Sequence, residues 1–256
     1  MAGSVKSCLF CKKVGNSSRE HVLRQRMGDL LGLRKGPHAQ LRRWVDGDGP
    51  QEYARAAQNS MYDWRIKSVC KPCNEGWMDQ LDRAVEATVL DLAEGLTTQI
   101  TAEQVESITA WAAKTVAVLA SGERGEFLIS RAELDFIYQN HTAPTTWQVW
   151  VARAALPEDR QVITRHTRGI LHDDVLGNEP VHATAIAQKQ LAVFVRGTAG
   201  IRTGECNVTA STSAIHDFDA RFVQLTHRST PSVSLANRQT LTRDQVLKAV
   251  ERIIPG

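Results

Sequence analysis

The clearest periodic pattern of the chain lies between residues 74 and 92, where apolar side chains recur at spacings of three and four. At about 100° per residue these side chains fall in one arc of a helix. They are Trp77, Met78, Leu81, Val85, Val89 and Leu92. Asn74 projects into the same arc, Asp79 lies on the opposite face, and Asp82 lies at the edge between the two. The pattern therefore predicts an amphipathic helix with a polar amide on its inner face.

Capping signals predict three further helices. Each begins with Ser or Thr followed three residues later by Glu or Gln, which is the spacing of a capping box. The pairs are Thr101 with Gln104, Ser130 with Glu133, and Thr242 with Gln245. The first helix, over about residues 102–120, is apolar at most positions, so we expect it at the centre of the core. The last is predicted over about residues 243–253.

Between residues 146 and 228 the pattern changes to short β-branched and aromatic runs separated by Gly, Pro and Asn. The runs that predict strands are residues 147–151, 161–164, 182–186, 191–195 and 221–225. Short strands divided in this way are typical of an antiparallel sheet. The fold class is therefore predicted as α+β, with a first module over residues 1–95 and a helical and antiparallel-sheet body over residues 96–256.

Charge is distributed unevenly along a chain whose overall composition is that of an ordinary globular protein. Residues 1–73 contain 14 Lys and Arg against 6 Asp and Glu, whereas residues 74–256 contain 17 against 22. A basic segment joined to an acidic body is typical of proteins that bind a polyanion, although a solvated basic surface is the alternative. We expect the insertion at residues 24–69 to contact nucleic acid. The candidate contacts are Arg24, Arg26, Arg34, Lys35, Arg42 and Arg43.

Four of the five cysteines form two Cys-x-x-Cys pairs, Cys8 with Cys11 and Cys70 with Cys73. No apolar run approaches the length of a membrane span, and the first residues show no apolar signal segment, so we expect a cytoplasmic protein with no membrane partner. In a reducing compartment such pairs are metal ligands rather than disulfides. Four thiolates on two tight turns are the usual ligands of a closed, structural Zn²⁺. The sequence thus predicts one zinc site.

A Glu20–His21 step follows the first cysteine pair, and Asn74 directly follows the second. A neutral imidazole can accept a proton from water near neutral pH, and a carboxylate can hold a hard divalent cation. Adjacent residues of a strand face opposite sides, so this pair shares a face only where the strand ends or bulges. Residues 5–23 are predicted to form the first cysteine turn and a short β-hairpin. Asn74 fits either a buried hydrogen-bonding amide or a helix N-cap.

These residues resemble the zinc-bound form of the HNH endonucleases, also called His-Me finger or ββα-metal nucleases, over roughly residues 5–90. The resemblance implies a zinc-stapled, treble-clef-like ββα-metal nuclease module at the N-terminus. It also implies three roles. His21 would be the general base, Glu20 a ligand of a catalytic Mg²⁺ or Mn²⁺, and Asn74 the residue that fixes the loop beside the base.

In the family a last histidine completes the cation site, and Arg83 stands at its place here. We expect Asp82 or Asp79 to serve instead, because Mg²⁺ prefers oxygen ligands. The resemblance therefore implies a metal-dependent endonuclease acting on nucleic acid, and DNA is expected as the substrate rather than RNA. It further implies a bacterial or phage-encoded protein of phage biology or antiphage defence. The alternative is a degenerate member that binds zinc and nucleic acid without cutting. The oligomeric state is left open, with a dimer as one option.

Overall fold

The protein has a mixed α+β structure, which confirms the α+β part of the predicted fold class. The computed structural model describes residues 7–15, 17–33, 43–44, 50–51, 60–122, 129–158, 162–173, 177–198, 221–225 and 232–253. Every structural statement below concerns these ranges.

An antiparallel ribbon whose two strands are far apart in sequence forms the N-terminal part. The elements in order are β1 (Ser17–His21), α1 (Gln25–Leu30), β2 (Arg43–Trp44), β3 (Pro50–Gln51) and β4 (Arg65–Cys70). β1 pairs with β4, and β2 pairs with β3. The prediction of a local β-hairpin within residues 5–23 is wrong about the strand with which β1 pairs. Over those residues the structure has a bridge between Ser7 and Val14, while β1 pairs with residues 65–70. A strand of five residues carries too little pattern to specify which strand it joins.

A helical segment begins where β4 ends. It consists of α2 (Lys71–Cys73), a π-helical turn (Asn74–Met78) and α3 (Asp79–Ala93). Gly76, with φ −97° and ψ −115°, departs from helical geometry, so the π-helical turn contains a kink. The predicted amphipathic helix is confirmed from the turn onwards, with Val85 and Val89 fully buried.

Helix α4 (Ala102–Ser121) lies at the centre of the molecule, after the short strand β5 (Gln99–Ile100). All residues from 108 to 120 are buried, as its apolar sequence predicts. It packs against α3, β4 and α5 (Arg131–Asn140). Both helices begin at the predicted capping boxes, headed by Thr101 and Ser130. Across the described ranges, every helix is too short or too polar to cross a bilayer.

The body contains the predicted antiparallel sheet. Its strands are β6 (Gln148–Ala155), β7 (Val162–Asp173), β8 (Gly177–Gln188), β9 (Leu191–Thr198) and β10 (Val223–Leu225). The strand order is β10-β6-β9-β8-β7. β11 (Val233–Ser234) pairs with β5, and β12 (Leu241–Thr242) lies parallel to β6 and leads into α6 (Arg243–Ile253). The third capping box, Thr242 with Gln245, is also confirmed.

Two apolar clusters hold these elements together. The larger includes residues of the cysteine turns, α3, α4, α5 and the inner face of the sheet. The smaller lies between the other face of the sheet and α6. The division near residue 95 falls between α3 and α4, which pack on one another in the larger cluster. The division into two domains stays a prediction.

Candidate functional site

The four paired cysteines converge on one point. Their sulfur atoms lie within 4.8 Å of one another. Cys8 Sγ lies 3.8 Å from Cys73 Sγ, and Cys11 Sγ lies 3.5 Å from Cys70 Sγ, so each contact joins the two turns. Tetrahedral zinc with Zn–S bonds of ~2.3 Å separates its sulfur ligands by ~3.8 Å. The cluster could therefore hold a metal such as zinc, as the spacing predicted.

Backbone amides around the cluster favour a thiolate at one position. Burial raises the pKa of Cys8, but the backbone N–H groups of Cys70, Cys11 and Phe10 outweigh it and bring that pKa to about 7. One of these bonds, from Cys70 N to Cys8 Sγ, is 3.3 Å long. Burial raises the pKa of Cys73. These amide contacts thus favour the thiolate form of Cys8.

Helix α5 of the body supports the first cysteine turn. The Arg131 guanidinium donates to the carbonyl oxygens of Leu9 and Phe10, each at 2.5 Å. Asp135, one turn further along α5, binds both Arg131 and Lys12. This contact was not predicted from the sequence, because nothing in the spacing of Arg131 distinguishes it from an ordinary surface arginine.

A second site is formed by residues of β1, the π-helical turn and α3, which neighbour the cysteines in the chain. It is an open cavity of about 250 Å³, and its lining includes five of the predicted site residues together with Arg24 and Arg26. The five are Glu20, His21, Asn74, Asp79 and Asp82. The structure therefore brings together around one cavity residues up to 62 positions apart in sequence.

A bulge explains how adjacent residues reach one cavity. Between Ser18 and Glu20 the register with β4 shifts by one residue, and β1 ends at His21. Asn74 donates from Nδ2 to Ser18 Oγ at 2.5 Å, which ties the π-helical turn to this strand. Asn74 has αR dihedral angles, and Cys70 is the N-cap of α2, so the reading of Asn74 as an N-cap is wrong.

The cavity has an acidic inner wall. Glu20 is buried, with 4% of its surface exposed. The pKa of Glu20 is raised to about 7, chiefly by burial; the charge of Lys114 lowers it, and the charges of Asp82 and Asp79 add to the rise. Carboxylate oxygens are the ligand type that Mg²⁺ and Mn²⁺ prefer. Glu20 and Asp82 could therefore serve as ligands of a divalent cation.

The two candidate aspartates differ in their surroundings. Asp82 Oδ1 accepts a hydrogen bond of 2.7 Å from Lys114 Nζ, and both side chains are buried, at 8% and 1% exposure. Asp79 is about one-third exposed, with Arg83 at 2.8 Å and Arg24 at 3.4 Å. Asp82 is thus a fixed part of the wall, and Asp79 belongs to its rim.

Two arginines, Arg24 and Arg26, also line the cavity. Arg24 Nη1 lies 3.1 Å from Glu86 Oε2, and Arg26 Nε donates to Glu86 Oε1 at 3.0 Å. Of the other predicted contacts, Arg34, Lys35 and Arg42 lie outside the described residues. The side chain of Arg43, in β2, also lies outside the description.

Two cations of the site escaped the sequence analysis. Arg65 stands opposite His21 in the ribbon, and its Nε donates to His21 Nε2 at 2.7 Å. That contact requires the β1–β4 register, which the sequence does not supply. Lys114 could have been identified from the sequence, because it is the single charged residue in the apolar run 110–120 of α4 and so needs a buried partner.

Comparison of the chain with models of protein families, with curated proteins and with solved structures gives no match in any of the three.

Proposed function

We propose that this chain is a metal-dependent endonuclease of the HNH type, which hydrolyses phosphodiester bonds in nucleic acid, with DNA as the expected substrate. One observation carries the proposal. An antiparallel ribbon and the helix after it hold Glu20, His21, Asn74 and Asp82 around one open cavity, beside four clustered cysteines. This observation supports the proposal because the sequence resemblance implies a ribbon followed by a helix that together carry the reactive residues.

His21 has the role of general base in this proposal. Its Nε2 accepts a hydrogen bond from Arg65, so this nitrogen carries a lone pair and the proton of the neutral ring is on Nδ1. A phosphate of the substrate would attract the Arg65 guanidinium, which is exposed. Nε2 would then be available to accept a proton from the attacking water.

Glu20 and Asp82 would hold the divalent cation through their carboxylate oxygens, with Asp79 at the rim. When bound, such a cation supplies charge stabilisation for the oxygen that leaves the phosphorus. Asn74 keeps the strand that carries the base in place through its bond to Ser18.

The cysteine cluster has a structural role in this proposal. All four ligand positions of a tetrahedral ion would be filled by sulfur, which leaves no position for water or substrate. The ion would join the first turn to the end of β4, and so hold the ribbon that carries the cavity.

The test is a plasmid assay of full-length protein in Mn²⁺. His21→Ala should slow cleavage by ~10²–10⁴, the usual effect of removing a general base. Zinc content and DNA affinity should stay close to wild type. The matched control is His141→Asn, since His141 stacks on Trp77 outside the cavity lining and Asn tolerates its positive φ of 49°. Cleavage by His21→Ala at the wild-type rate would refute the assignment.

A second candidate function is nucleic-acid binding without cleavage. The observation that favours it is the buried ion pair of Lys114 with Asp82, because an ammonium already neutralises part of the proposed cation site. Salt-dependent binding of DNA and RNA by wild-type protein, with no cleavage of either in Mg²⁺ or Mn²⁺, would establish this function in place of the first.

A further inference from the structure

We infer that Lys114 is a positioning residue of the cation site: it fixes Asp82 and neutralises one carboxylate charge, so that the wall takes a single divalent cation. The inference rests on the proposed function. It assigns to helix α4, which lies outside the segment that carries the HNH resemblance, a direct part in building the cavity.

The ion pair of Lys114 with Asp82 is buried. Lys114 Nζ and Asp82 Oδ1 are 2.7 Å apart, and 1% and 8% of the two side chains are exposed. A buried ammonium needs a partner and nearly ideal geometry, because little water reaches it. The pair therefore has a fixed orientation, unlike the exposed ion pairs of the surface.

The ammonium of Lys114 also acts on Glu20, the other buried acid of the cavity wall. Lys114 acts on Glu20 as a positive charge, opposite in sign to Asp82 and Asp79. The ammonium thus contacts Asp82 directly and exerts its charge on Glu20. It engages Oδ1 of Asp82, while the carboxylate also lines the cavity, so Oδ2 remains available to a cation.

Lys114 also determines the net charge of the cavity wall. Ionised Glu20 and Asp82 together carry two negative charges, and Lys114 offsets one of them. Asp79, at the rim, is already paired with Arg83 and Arg24 and adds no net charge. One divalent cation more than balances the remainder, so a second cation nearby would meet net repulsion. The same reasoning predicts that Lys114 weakens the binding of the first cation, while it keeps Asp82 in place for the reaction.

The experiment is a calorimetric titration of Mn²⁺ into full-length, zinc-loaded protein. Wild type should bind one Mn²⁺ per chain. Lys114→Met, which keeps the length of the side chain and removes its charge, should bind Mn²⁺ roughly tenfold more tightly or more. The same variant should cut DNA at least tenfold more slowly. A purely structural lysine would not combine tighter cation binding with slower cleavage.

The control is Lys189→Met. It removes a lysine that pairs with Glu94 at 2.5 Å, away from the residues that line the cavity. Mn²⁺ affinity and cleavage should both remain at the wild-type level.

A second pair of variants tests the inference if Lys114→Met does not fold. Asp82→Asn should bind Mn²⁺ weakly, because Lys114 then faces Glu20 alone. Asp82→Asn with Lys114→Met should recover roughly tenfold in Mn²⁺ affinity. Unchanged or weaker affinity on removal of Lys114, in whichever background folds, would overturn the inference.

The proposed function and the inference fail in different ways. Tighter Mn²⁺ binding by Lys114→Met in a protein that never cuts would support the inference about the cation site and refute the nuclease. Cleavage and Mn²⁺ binding by wild type, with affinity unchanged in Lys114→Met, would refute only the inference. A wild-type protein that binds no Mn²⁺ would refute both.

Discussion

The cysteine cluster and the acidic cavity are built on the same ribbon and helix, yet they differ in how their ligands are supplied. The cluster takes its four sulfur atoms from two tight turns, and all four are alike. The cavity is lined by carboxylates from β1 and α3 and an imidazole from β1, and an ammonium from α4 pairs with one of the carboxylates. The difference teaches that local spacing can specify a site of identical ligands, whereas the charge of a mixed site depends on packing between distant elements.

The largest expected effect is on the cluster. Cys11→Ser should abolish stoichiometric zinc and unfold the N-terminal region, because structural zinc contributes roughly 10–16 kcal/mol of apparent binding free energy in zinc-finger peptides. Zinc content and thermal unfolding measure this. Val14→Ser, at a side chain 67% exposed beside the same turn, is the control and should change neither. One zinc per chain in folded Cys11→Ser would contradict the assignment of this ligand.

The next effect separates the two aspartates. Asp82→Asn leaves Lys114 buried without its charged partner, so the free energy of unfolding should fall by roughly 3–5 kcal/mol. Asp79→Asn loses only partly exposed pairs and should lower it by ~1 kcal/mol or less. Urea denaturation measures both. Asp82→Asn should also raise the Mg²⁺ concentration required for cleavage more than Asp79→Asn does. The reverse order would move the cation to the rim of the cavity.

A smaller effect concerns pH. Folding raises the pKa of Glu20 from 4.5 to about 7, so the folded state binds more protons than the unfolded state between these values. Stability contributed by Glu20 is therefore present below about pH 4.5 and lost as the pH rises towards 7, by roughly 3 kcal/mol at most. Without added divalent cation, the free energy of unfolding of Glu20→Gln should lack this decline.

Glu94→Gln is the control for the pH experiment, because Glu94 pairs with Lys189 away from the cavity lining. It should keep the wild-type decline. Added Mn²⁺ should reduce the decline in wild type, since the cation favours the ionised carboxylate. Identical pH profiles for wild type and Glu20→Gln would show that the buried acid is not coupled to folding.

The smallest effect tests the rim. Arg26→Ala should weaken DNA binding a few-fold across all sequences and lower the salt slope by about one, as expected for one phosphate contact. Its pair with Glu86 is largely exposed on the arginine side, so stability should change by less than ~1 kcal/mol. Arg83→Ala, at an arginine outside the cavity lining, should leave the salt slope unchanged. Equal slopes for both variants would remove Arg26 from the interface.

Particular residues show how far the sequence could predict this molecule. The cysteine pairs, the Glu20–His21 step and Asn74 were found because they stand close to one another or repeat a spacing. The capped helices and the five strands were found because their patterns are local. Arg65, Lys114 and Arg131 were not found, since each acquires its role only through contact with a residue 32 or more positions away.

The cross-pairing of the cysteine sulfurs has a consequence for the order of events during synthesis. The contact of Cys11 with Cys70 spans 59 positions of the chain. A nascent chain that ends before Cys70 presents only two thiolates, which cannot complete a tetrahedral site. Capture of a zinc ion by all four cysteines would therefore wait until residue 73 has left the ribosome. It then closes a long loop in one step, the case in which a cross-link removes most entropy from the unfolded chain.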